Sequence, residues 1–214
     1  MERQSKWLTG SAMLLLVGFG LGSALLGVSS ALTRGARVAA VPSPPATITA
    51  HLIKRRPNTA KPGTLVKSSA LSQRVFVNNK DGFALGGIGE AQYPAETTDG
   101  GAVWKTFGPA LHIAAAQAPL SVTQVGASNE HTVYFYGSGQ VVDVTSDGGK
   151  QWWQALTEEL SMAVVPGATG RLVWFTQDTV TGNDAKAVTW PYVSTDGGKV
   201  WRYSTALGGG FWNP

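Results

Sequence analysis

From residue 73 onward the chain is written in short apolar runs with polar residues at alternate positions, the period-2 signature of strands with one buried face. Separated by Gly- and Asn-containing turns, the runs fall near 74–78, 83–87, 91–97 and 102–107, then 121–126, 132–136, 140–145 and 151–156, then 161–165, 171–176, 186–194 and 200–205. Three groups of four strands are predicted. Nothing in this region sustains a 3.6-residue period, so an all-β fold is expected.

The groups align on one motif that occurs three times, with a hydroxyl residue, Asp, Gly and Trp at fixed offsets. Its positions are Thr97, Asp99, Gly101 and Trp104, then Thr145, Asp147, Gly149 and Trp152, then Ser194, Asp196, Gly198 and Trp201. The aspartates lie 48 and 49 residues apart, and self-similarity at about 40 to 50 residues is what stacked four-stranded units produce. An Asp-Gly pair between two apolar runs calls for a tight hairpin, because Gly supplies positive φ without a Cβ clash. The carboxylate is expected to accept from turn N–H groups two residues on, with the hydroxyl helping more weakly. The Trp, five residues after the Asp, folds back over the hairpin and contributes about 1.5 to 3 kcal/mol of apolar burial. A structural role therefore accounts for every fixed position.

The motif resembles the Asp-box, or bacterial neuraminidase repeat, of sialidases, sortilin-like receptors and photosystem II assembly and stability factor propellers. The resemblance covers about residues 73 to 207 and implies a partial, about three-blade, β-propeller-like domain. It also implies that each box joins the two outer strands of a blade, away from the binding face. Families sharing this blade have unrelated functions, so the fold does not carry an activity with it. Three blades leave a ring unclosed. A homodimer completing a six-blade ring, an open wedge and the remnant of a longer propeller all meet that constraint, and the aromatic tail from Gly208 to Pro214 is placed to cover a face or begin a further blade.

The first part of the chain has another character. Residues 8 to 32 carry no ionisable side chain, and as a helix they would extend about 37 Å against a hydrocarbon core of about 30 Å. Residues 1–33 are expected to be a membrane anchor or signal segment, with the β domain held outside the cytoplasm of a bacterial cell. Residues 34–72 read as a Pro-rich, basic, disordered linker, with Pro42, Pro44, Pro45, Pro57 and Pro62 interrupting regular structure. Its Lys54-Arg55-Arg56 cluster would suit an anionic lipid or polymer surface. Residues 1–72 hold nine basic side chains and one acidic, a net +8, whereas the remainder holds eight and twelve, a net −4. With positive charge confined to leader and linker, nucleic-acid binding by the 73–214 domain is not expected.

The sequence contains no Cys, which excludes disulfides and thiolate chemistry. Sialidase chemistry needs several Arg to clamp a carboxylate and a Tyr-Glu pair at the anomeric carbon. Only Arg74, Arg171 and Arg202 follow residue 72, and none sits in a matching context, so no catalytic residue is assigned. No cofactor and no metal site are expected either, since His112 and His131 lack partners at ligand spacing. If the boxes occupy one face, the opposite loops hold Tyr93, His112, Glu158, Glu159, Asp178 and Asp184, and these are the candidate binding-face residues. A noncatalytic binding or assembly module with a protein or glycan partner is the leading expectation. The alternative is a glycan-directed protein, either lectin-like or a divergent sialidase or glycosidase.

Overall fold

The computed structural model describes residues 43–113, 120–179, 187–207 and 210–211. They form three antiparallel sheets, each with a continuous path of five strands and two of them with a sixth strand off that path, and no α-helix occurs among them. No helix of the described residues is long and apolar enough to cross a membrane, and the expected span at 8–32 lies outside them.

Three short strands come first: β1 (Thr47–Thr49), β2 (His51–Leu52) and β3 (Leu65–Val66). The first repeat then supplies β4 (Leu71–Phe76), β5 (Gly82–Ile88), β6 (Ala91–Thr97) and β7 (Trp104–Thr106), with β8 (His112–Ile113) after it. The second supplies β9 (Gln124–Ala127), β10 (Val133–Tyr136), β11 (Val141–Thr145) and β12 (Trp153–Leu156). The third supplies β13 (Leu160–Pro166), β14 (Leu172–Thr179), β15 (Ala187–Ser194) and β16 (Val200–Tyr203), followed by β17 (Gly210–Phe211). Each repeat is a meander of four antiparallel strands, as the alternation predicts. The tail does not begin a new sheet. Its β17 pairs with β15, as β8 does with β6 in the first repeat.

The expected linker is where the structure departs most from the sequence reading. Rather than being disordered throughout, residues 46–66 form a strap along the outer edges of all three sheets, meeting the third sheet first, then the second, then the first. β1 pairs with β16, β2 with β12 and β3 with β7. Between these strands the strap still pairs: the Ala50 N–H donates to Lys199 O at 2.8 Å, the Ile53 N–H to Trp152 O at 2.8 Å, and the Thr106 N–H to Thr64 O at 2.9 Å. A strand edge exposes a row of unpaired N–H and C=O groups, and the strap satisfies those of every fourth strand. Prolines are tolerated because an outermost strand needs donors on one side only. The strap also enters the core, with Ile48, Ala50 and Val66 buried.

The sheets stack face to face. Phe83, Leu85 and Phe107 of the first repeat pack against Val133, Phe135, Val141 and Trp152 of the second. Tyr134, Val142 and Val144 on the other face of the second sheet pack against Trp174, Tyr192 and Trp201 of the third. Each motif Trp thus faces the preceding sheet. Trp104 of the first sheet has none before it and lies in a smaller cluster with Val66, Ala84 and Ala95. Phe76 meets its ring edge-on at 6.0 Å and the Arg74 guanidinium lies 5.8 Å from its centroid.

The strap brings four cations, Lys54, Arg55, Arg56 and Lys61, onto the folded domain, and Lys67 just beyond it makes a fifth. Residues 43–214 hold thirteen basic and twelve acidic side chains, a net +1 instead of −4, so the charge premise used against anionic partners changes. A chain beginning at residue 43 is expected to unfold cooperatively. One beginning at 73 loses the edge pairing and is expected to aggregate or melt far lower, which calorimetry with light scattering checks. In the longer chain Ile48→Ala should cost about 2 to 5 kcal/mol in chemical denaturation.

Candidate functional site

The three motifs close their hairpins in one way. Each hydroxyl donates to its Asp Oδ1, at 2.7 Å for Thr97, 2.9 Å for Thr145 and 2.8 Å for Ser194, while accepting from the second Gly N–H at 2.9 to 3.0 Å. The same carboxylate oxygen accepts from the N–H four residues on, Val103, Gln151 or Val200, at 3.0 Å. That reach is longer than the two residues expected, because positive φ falls on both glycines of each turn and not on the Asp. Asp99 is held below the usual carboxylate range by the Val103 N–H and the Thr97 hydroxyl. For Asp196 burial works the other way but is outweighed by the Val200 N–H and the Ser194 hydroxyl. The hydroxyl and the carboxylate of each motif are thus both engaged within the turn.

One copy differs. The indole N–H groups of Trp104 and Trp201 donate to Gly101 O and Gly198 O, both at 3.0 Å. Trp152, 1% exposed, makes no such bond, and its Nε1 has no partner among the described residues. Its nitrogen instead packs against Gly108, where any Cβ would collide with it.

The candidate binding-face residues separate into distinct fates. Tyr93 lines no loop: it is 2% exposed, and its hydroxyl accepts from the strap's Ala60 N–H at 3.0 Å. It is a strap anchor, which no sequence signal revealed because the strap was read as linker. His112 lies on β8 opposite Gln92. Asp184 lies outside the described residues. Glu158, Glu159 and Asp178 come together where the second and third sheets meet. Glu158 is exposed, with its carbonyl accepting from Gln140 Nε2. Glu159 is buried, and its Oε2 has no partner among the described residues. Burial raises the Glu159 pKa, and the negative charges of Asp178 and Glu158 add to the rise. The neighbour the sequence reading missed is Tyr192 on β15. Its hydroxyl is likewise buried without a partner, and burial, then the nearby Glu159, suppress its ionisation. Trp174 packs 5.9 Å from the Tyr192 ring and Tyr203 6.1 Å. The arrangement favours a neutral carboxyl beside a neutral phenol in an aromatic wall.

A second acid was also missed. Asp143 is fully buried in β11, in a run of Val141, Val142, Val144 and Thr145, and alternation turns it toward the first sheet. The Gln154 amide donates to its Oδ1 at 2.9 Å, whereas Oδ2 has no partner among the described residues. Burial pushes its pKa up to about 7, with the Gln154 bond opposing. A lone acid in an otherwise apolar strand was the available signal.

The three arginines do not converge. Arg74 lies over Trp104, while Arg171 and Arg202 share an open cavity of about 290 Å³ with Asp196 at the third sheet. Among the described residues no group of three His, Asp or Glu side chains is placed to hold a metal ion. No family model matches the chain, and no curated protein or solved structure matches it.

The Asp143 environment sets a pH dependence. The folded pKa lies above the unfolded value, so its neutral form stabilises the fold below about pH 4, and that contribution is lost as pH rises toward 7. Asp143→Asn is therefore expected to raise the melting temperature at pH 8, with little effect at pH 4, flattening the profile measured between them.

Proposed function

We propose that the three sheets are blades of a partial Asp-box β-propeller, held outside the cytoplasm by an N-terminal membrane anchor, and that the domain is a noncatalytic binding and assembly module. The observation that carries this reading is an internal stack that, among the described residues, has no further sheet at either end. Each seam joins the Trp-bearing face of one sheet to the opposite face of the sheet before it. Among the described residues no sheet precedes the first sheet's Trp104 face, which carries Phe76, 46% exposed.

At the other end, strands β13, β14 and β15 align Val165, Val173 and Val193 in one rung and Ala163, Phe175 and Pro191 in the next. These alternate with Leu172, Trp174 and Thr176, which turn toward the second sheet, so the rungs lie on the face with no following sheet. The two ends are the two halves of the seam the molecule already makes twice. A second copy is the occupant this repetition favours, since two chains joined end to end at both faces close a six-blade ring.

A second reading, a glycan-directed protein, is favoured by the buried Glu159 and Tyr192 pair, an acid and a phenol beside Asp178. Turnover of fluorogenic sialosides or glycosides by the full chain, abolished by Glu159→Gln, would support it over the noncatalytic one. For the assembly itself, light scattering of the detergent-solubilised full chain is expected to give a protein mass twice the 22.4 kDa of one chain. Val165→Asp is expected to return it to monomer. A monomer for the unsubstituted chain at micromolar concentration would overturn the six-blade assembly.

A further inference from the structure

Where the strap crosses the seam between the first and second sheets, two cavities open on either side of Leu52 and Ile53. One, of about 370 Å³, is lined by His51, Lys54 and Arg56 of the strap together with Gln154, Ala110, Leu111 and Leu120. The other, of about 320 Å³, is lined by Arg55 of the strap, by Lys150 and Trp152 of the second motif and by Gly108. No carboxylate lines either cavity. The domain as a whole is close to neutral, so its cations have been gathered here from two distant parts of the chain.

The ionisable groups of the walls agree in sign. Cationic side chains line both cavities and no acid lines either, which describes a receptor for oxyanion oxygens.

We propose that this strap groove binds a free, extended oxyanion carrying several charges, of which a short polyphosphate is the simplest member, with Lys54 and Arg55 on opposite sides of the strap engaging successive anionic groups and Lys150 completing the second cavity. The inference does not depend on how the stack ends are closed, because the groove lies at an internal seam.

The test is titration of the full chain with sodium tripolyphosphate, followed by calorimetry at low and high salt. Saturable binding that weakens with salt is expected, and Arg55→Gln and Lys150→Gln should each weaken it about fivefold. Lys105→Gln, an exposed change on the first sheet, should leave it unaltered. Circular dichroism melts of the variants establish that each is folded. A parallel arm uses vesicles of phosphatidylcholine with and without phosphatidylglycerol. Absence of binding to tripolyphosphate, equal losses in the Lys105 variant, or binding to phosphatidylglycerol vesicles alone would each overturn the proposal.

Discussion

The backbone pairing between the strap and the outermost strand of each sheet is the constraint on which the rest of the molecule depends. Those fourth strands are short, with β7 only three residues long, and a short edge strand with one partner contributes little by itself. Strap pairing gives each a second partner, from the Tyr203 N–H donating to Ala46 O at 3.1 Å to the Gly63 N–H donating to Thr106 O at 2.6 Å. The side-chain consequences follow from the backbone ones. Ile48 and Ala50 reach the seam between the second and third sheets, Val66 covers the first sheet, and Tyr93 gives its hydroxyl to hold the strap between β2 and β3.

The two seams differ in charge because of what crosses them. At the seam between the first and second sheets the strap brings cations to the surface, while Asp143 lies buried beneath them with its pKa raised to about 7, held by Gln154. At the seam between the second and third sheets the connection from β12 to β13 brings Glu158 and Glu159 beside Asp178, and burial with these like charges raises the Glu159 pKa. A buried acid without a cation is relieved by protonation, whereas exposed lysines and arginines keep their charge at any physiological pH. One seam therefore gathers acids and the other gathers cations.

Strands whose partners are near in sequence were legible. The run predicted at 91–97 is β6 itself, and those at 140–145 and 186–194 differ from β11 and β15 by a single residue at the start. Their alternation and motif turns are local properties. The strap was not legible, because strands of two or three residues carry no measurable period and their partners lie far along the chain. Its prolines pointed the same way, although an outer strand accepts them. The difference among the three motif tryptophans was hidden too: Gly101, Gly149 and Gly198 occupy one position in three similar words, and only packing against Gly108 sets Trp152 apart. In the candidate site, Glu159 and Asp178 were found as loop acids, but Tyr192 looked like one aromatic among many on a buried strand.

The order in which the strap visits the sheets has a consequence in time. Thr47 lies opposite Arg202, so the first strand to leave the ribosome, or to emerge from a membrane, must wait about 155 positions for its partner. Until the third repeat is complete, the strap has no sheet for its leading strand, and contacts of such separation slow folding. A chain that is being threaded or is cut short holds its two end strands apart. The same strand pair thus locks only once β16 of the third repeat has joined β1.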